Sequence, residues 1–212
     1  MAVSLRQGTF GSYYGNDFNS SNALNYEQMK VNVTYIYSYL TNKGWSVNAI
    51  SAMCGNMQAE SSINPGRWQS DRVGGETSGH GYGLVQWTPY TKYTEWVSGD
   101  PSTMDNNLSR IIYEVENKLQ WIATSKYNYS FKEFSTSNKS VSELAIAFLL
   151  NYERPADQSV SVQNYRSGLA ENWYTYLTGI EPTPPSEEGS SITKKHKYNF
   201  ILFNRRKRHG QR

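Results

Sequence analysis

Apolar side chains recur every three or four positions along several stretches of this chain, and each such stretch predicts a helix. Met29, Val33, Ile36, Tyr37 and Leu40 share one face between Tyr26 and about Lys43, with Gly44 as the stop. Val47, Ile50, Met53, Cys54 and Met57 form the next face, behind a Ser46 cap. That helix runs to about Ser61, because Pro65 forbids its continuation. Leu108, Ile111, Ile112, Val115, Leu119 and Ile122 make the clearest stripe, over Asp105 to about Ile122. Phe131 to Phe134 predicts a single turn, and Ser140-Val141-Ser142-Glu143 has capping-box spacing ahead of the apolar run to Leu150. A last helix is expected over Ser159–Thr178, with Val162, Tyr165, Leu169, Trp173, Tyr176 and Leu177 inward and Gly179 at the cap.

Periodicity lapses elsewhere. Residues 1–25 are rich in Gly, Ser, Asn and Tyr and read as an extended or loosely packed arm. Gly66 to Pro89 is dense in glycine; Gly74-Gly75, Gly79, Gly81 and Gly83 mark turns and a short hairpin. A mainly α domain, α+β if that hairpin forms, therefore spans 26–179. Residues 180–192, which include EPTPPSEEGSS, read as a semi-rigid linker. Residues 193–212 form a basic tail around Tyr198–Phe203.

Charge separates the tail from the rest. The chain holds 21 Lys and Arg against 18 Asp and Glu; eight of the basic residues lie in 193–212 with no acid, which leaves a formal −5 on the remainder. The tail suits an anionic polymer, or a partner's sheet edge through its apolar patch, or it is a solubilising extension. No motif supports sequence-specific nucleic-acid binding. The one cysteine, Cys54, excludes an intrachain disulfide and reads as core. No apolar run approaches a membrane span, and the first residues, MAVSLRQGTFGSYYG, lack a signal-peptide core. The three histidines, His80, His196 and His209, make no metal-ligand set, so no metal or other cofactor is expected. Seventeen tyrosines and six tryptophans suit both a core and a sugar-stacking groove.

Two segments carry candidate chemistry. In GNMQAESSINPG, Glu60 sits near the C-terminal end of a helix among small and apolar neighbours. Partial burial and the negative helix end favour its protonated form, as a general acid needs. In GHGYGLVQWTP, spaced glycines let the backbone approach a ligand, and Gln86 offers a donor and an acceptor to sugar hydroxyls or acetamido groups.

These segments carry a resemblance. ESSINP followed by GYGLVQ resembles the paired motifs of goose-type lysozymes and soluble lytic transglycosylases. VNVTYIYSYL, NKGW, GNMQAESSINPGRWQ, GYGLVQWTP, RIIYEVENKLQW and FLLNYERPAD, in that order over residues 26–178, resemble the phage tail lysozymes more closely. The resemblance implies a lysozyme-like fold: helices around a groove, with a small β-hairpin flap beside it. It implies cleavage of the β-1,4 bond of peptidoglycan glycan by a virion-borne tail-tip enzyme during genome entry. It makes Glu60 the acid, aligns Gly81, Gly83 and Gln86 with the flap motif, and sets Asn151, Tyr152 and Glu153 where transglycosylases carry a tyrosine facing the reaction centre.

A hydrolase also needs a second carboxylate, about 5–5.5 Å from the acid for retention or about 6.5–9.5 Å for inversion. Asp71 is the first candidate and Glu76 the second, and a lytic transglycosylase would need neither. Trp68, Tyr82 and Trp87 are candidate stacking surfaces, with His80 a candidate hydrogen-bonding group. Expected partners are glycan strands and, through the basic tail, other phage tail proteins. A zinc endopeptidase domain, which follows a linker in some family members, is not expected in the roughly 20 residues beyond 192. A free endolysin and a non-catalytic tail-tip or wall-binding module are the competing readings.

Overall fold

A computed structural model of the chain describes residues 3–74 and 79–179. Glu76, the linker and the basic tail lie outside the described residues. The order of elements is β1 (Ser4–Gly8), β2 (Gly11–Gly15), α1 (Tyr26–Asn42), α2 (Val47–Ser61), α3 (Thr91–Thr94), α4 (Met104–Glu116), α5 (Phe131–Ser135), α6 (Val141–Phe148) and α7 (Val160–Thr178). A single 3-10 turn covers Gln69–Asp71, and one π turn, Leu149–Glu153, extends α6. The fold is mainly helical with one small sheet, as the resemblance implies.

Local chemistry sets the helix ends. Asn25 and Gln28 close a capping box ahead of α1. Ser46 accepts from the Ala49 N–H at the start of α2, and Ser62, in left-handed conformation at φ 55°, ends it. Ser140 caps α6 through the Glu143 N–H, but the Glu143 carboxylate pairs with Lys139 instead of returning to Ser140.

Helix α2 is the hub. Ala49 to Met57 are buried without interruption, so the helix is enclosed rather than amphipathic. It packs against α1, α6 and α7. The packing is tight at Gly55, where a Cβ would stand 2.5 Å from the Ala170 nitrogen of α7. That small residue brings α7 near enough for Arg166, one turn before Ala170, to reach the C-terminal end of α2.

Four expectations are revised. The N-terminal arm is not loose: β1 and β2 pair antiparallel from Ser4↔Gly15 to Gly8↔Gly11, and Tyr13 is buried. Asn32 of α1 fastens it, accepting from Tyr14 N–H at 2.7 Å and donating to the carbonyls of Tyr14 and Ile63, each at 2.8 Å. Second, the glycine-rich segment forms only isolated bridges, Trp68↔Tyr82 and Tyr82↔Trp87, in place of a regular hairpin. Third, α4 stops at Glu116; Lys118 and Gln120 turn left-handed, and Leu119 and Ile122 are exposed. Fourth, the buried face of α7 is Arg166, Ser167, Ala170 and Trp173, while Tyr165 and Tyr176 face solvent.

Candidate active site

The end of α2, the glycine-rich segment and the π turn converge on one cleft. It encloses about 200 Å³ and is lined by Glu60, Gln86, Glu153 and Trp68, with Arg67 and Pro155 among the remaining walls. Serine 61, next to Glu60, is fixed by donating to the Leu84 carbonyl at 2.8 Å, which holds the glycine-rich segment against α2.

Glu60 has a cationic partner that the sequence does not announce. Arg166 Nη2 donates to Glu60 Oε1 at 2.6 Å, and its Nη1 donates to the Asn56 carbonyl at 2.7 Å. Arg166 thus offsets the negative potential of the α2 terminus. Its side chain is 10% exposed and that of Glu60 21%, so the pair is shielded from bulk water but reachable from the cleft.

A second carboxyl stands on the same cleft. Glu153 ends the π turn, just before Arg154 in left-handed conformation. Its Oε1 is buried and has no hydrogen-bond partner among the described residues. Burial pushes its carboxyl well above the usual carboxylate range, and the Glu60 charge pushes the same way. Arg166 and Arg154 act against that shift, while Glu114 adds to it.

Behind the cleft lies a buried network centred on Glu114 of α4. It accepts from Trp87 Nε1 at 2.9 Å, Tyr152 Oη at 2.6 Å and Arg110 Nε at 2.9 Å.

The model of the phage tail lysozyme family matches residues 31–177, a span that contains every element of this cleft. The chain belongs to the phage tail lysozyme family. It is also 48% identical over 166 residues to Morphogenesis protein 1 of Bacillus phage B103, covering 76% of this chain and 44% of that protein. The chain therefore spans less than half the length of that relative.

Within this member of the phage tail lysozyme family, the expected site residues separate into two groups. Glu60, Gln86 and Trp68 line the cleft together. Gln86 donates to the Arg67 and Gly83 carbonyls, so its acceptor Oε1 is left without a partner among the described residues. The other expected residues serve the scaffold. Trp87 stacks on Tyr93 at 4.5 Å, and Tyr152 stacks on Phe148 at 4.5 Å, both buried with their polar ends on Glu114. Tyr82 is fully buried between Trp68 and Phe18, and Trp68 itself gives its indole N–H to the Phe18 carbonyl. These rings pack on protein rather than present open faces to sugar, because the segment folds inward over its aromatic side chains. Gly81 and Gly83 admit the chain's own atoms: a Cβ would meet the Gln86 carbonyl at 2.8 Å and the Asn107 side chain at 2.7 Å respectively. His80 is half-buried, gives its carbonyl to the Tyr90 N–H and is not part of the cleft lining.

Asp71 does not line the cleft. Its carboxylate accepts from Ser21 Oγ at 2.9 Å and Arg67 Nε at 3.2 Å, with the side chain 48% exposed. Asp71→Asn is expected to change glycan cleavage by less than about threefold and stability by less than about 1 kcal/mol, since exposed pairs contribute little. Steady-state rates and urea midpoints check this; a loss of about 100-fold would restore Asp71 as the second carboxylate.

Sequence reading does not assign Arg166 to the site, and it places Glu153 there only as the neighbour of Tyr152 in the Asn151–Glu153 block. A signal existed for Arg166: it shares the buried stripe of α7 with Ala170 and Trp173, where a cation calls for a partner. Glu153 falls within the NYERPAD block, but only the π turn shows which way it points. Among the described residues no helix is long and apolar enough to cross a membrane, and no group of three or more metal-ligating side chains occurs.

Proposed function

We propose that the protein is a virion-associated peptidoglycan glycosidase that cuts the MurNAc–GlcNAc β-1,4 bond of the host wall during genome entry. Glu60 is the general acid. The observation that carries this reading is its position: a shielded carboxyl at the end of α2, lining a cleft with Gln86 and a second carboxyl. Membership of the phage tail lysozyme family supports the substrate class, and the name of the relative, a morphogenesis protein, fits a particle component. In the step proposed, Glu60 protonates the bridging oxygen as the bond to the anomeric carbon breaks. Water, or the muramyl 6-hydroxyl, then closes the anomeric centre and releases a proton to the site.

Purified peptidoglycan digested with the full chain tests this directly. Mass spectrometry is expected to show new saccharide ends: reducing ends for hydrolysis, 1,6-anhydromuramyl ends for transglycosylation. Absence of both would overturn the glycosidase reading in favour of a binding module. Finding the protein in washed virions supports delivery by the particle; finding it only in the lysate favours a free endolysin.

A further inference from the structure

Glu153 is half-buried on the same cleft as Glu60, and its Oε1, fully buried, has no hydrogen-bond partner among the described residues. Trp87, Tyr152 and Arg110 all direct their donors to Glu114. Arg154, its own neighbour in sequence, turns Nη1 to the carbonyls of Gln120 and Asn151. Arg166 gives Nη2 to Glu60 and Nη1 to Asn56. A structural glutamate so placed would be expected to hold a donor on that oxygen, because a buried acceptor left unpaired is costly. This one keeps an unpartnered oxygen on a residue that lines the cleft, and the backbone needed a π turn and a left-handed Arg154 at φ 50° to put it there. π turns of this kind concentrate at functional sites.

We infer that Glu153 is the proton reservoir of the site: in the resting protein it holds, as a carboxylic acid, the proton that Glu60 delivers to the substrate. This rests on the glycosidase reading given above. The charges facing Glu153 are Glu60 on α2, Arg166 on α7, Glu114 on α4 and Arg154 beside it. Arg166 is matched by Glu60, and Glu114 is matched by Arg110. Arg166 is thus committed to Glu60 and makes no hydrogen bond to Glu153, so burial and the neighbouring Glu60 charge favour the protonated form of Glu153. When a saccharide enters, the proton passes from Glu153 to Glu60, directly or through one water, and from Glu60 to the bridging oxygen. The bond from that oxygen to the anomeric carbon breaks, and the leaving sugar departs as an alcohol. The water or 6-hydroxyl that attacks the anomeric carbon loses a proton to Glu60, which returns it to Glu153. No proton is gained or lost over the cycle. Glu153 is thus a positioning residue, acting through Glu60.

Glu153→Gln tests the inference, since the amide keeps the shape and the neutral charge but cannot pass a proton. Activity on purified peptidoglycan is expected to fall about 100-fold in kcat with little change in KM. The alkaline limb of the wild-type pH profile should move to lower pH in the variant. Stability gives a separate readout. A carboxyl raised by folding binds more protons folded than unfolded, so its contribution is complete below about pH 4.3 and is lost as pH rises through its folded value. The thermal midpoint of the wild type should therefore decline across that window, and that of Glu153→Gln should decline less. Infrared spectroscopy of the wild type at neutral pH should show a protonated-carboxyl band that Glu153→Gln lacks; if the variant fails to fold, the wild-type band and its pH titration decide. Wild-type kcat and an unchanged alkaline limb in Glu153→Gln, or no protonated carboxyl at neutral pH, would overturn the inference. Inactivity of the wild type itself would instead overturn the glycosidase reading.

Discussion

Replacing Glu60 by Gln is expected to slow glycan cleavage at least about 100-fold while the fold persists. The reasoning is local. Glutamine retains an oxygen for Arg166 Nη2, so the 2.6 Å contact can survive as a charge-assisted hydrogen bond. The helix end is equally undisturbed, because Ser61 and the left-handed Ser62 form the α2 terminus without using the Glu60 side chain. What disappears is the proton. A factor of 100 corresponds to about 2.7 kcal/mol of transition-state stabilisation. Groups that act as a unit are not additive, so Glu60→Gln combined with Glu153→Gln should be scarcely slower than Glu60→Gln alone. Rates on purified peptidoglycan, with circular dichroism to confirm folding, check both statements. A Glu60→Gln enzyme within threefold of wild type would remove Glu60 from the chemistry.

The second large effect concerns stability. Glu114→Ala is expected to destabilise the protein by about 3–5 kcal/mol, the usual consequence of removing one partner from a buried ion pair. Glu114 is 1% exposed and satisfies three donors at once: the Trp87 indole, the Tyr152 hydroxyl and the Arg110 guanidinium. Alanine leaves all three donors without their shared acceptor in a buried site. For a domain of this size the thermal midpoint should drop by roughly 10 °C. Glu114→Gln should lose less, because one amide oxygen still accepts. Activity should fall as well, since Trp87 belongs to the glycine-rich segment that carries Gln86, and Tyr152 precedes Glu153. Calorimetry of the three proteins decides. A midpoint within about 2 °C of wild type for Glu114→Ala would mean that the network contributes little.

How much of this was legible in the sequence differs from element to element. Helix α2 and its Ser46 cap could be read because a serine, an apolar run and a proline stop act within a few residues of one another. The position of Glu60 near the end of α2 was legible for the same reason; its role remains part of the proposal. The N-terminal hairpin was not, since Ser-Leu-Arg-Gln-Gly has little alternation and its partner strand is fastened at Tyr14 by Asn32, on a different element. The aromatic residues misled. Trp87 and Tyr152 look like groove walls in one dimension, but a buried glutamate 27 and 38 positions away draws their polar ends inward. Neither Glu153 nor Arg166 could be given a place beside Glu60 from the sequence, because a π turn and the close packing at Gly55 bring them there. Sequence spacing does not encode either event.

The most direct test is a crystal structure of the full chain carrying Glu60→Gln, soaked with a peptidoglycan-derived oligosaccharide. The account predicts a glycosidic oxygen within about 3.2 Å of the side chain at position 60, or one water away, with Gln86 against the same saccharide. A glycan bound on another face, or one that leaves position 60 beyond the reach of a bridging water, would contradict it.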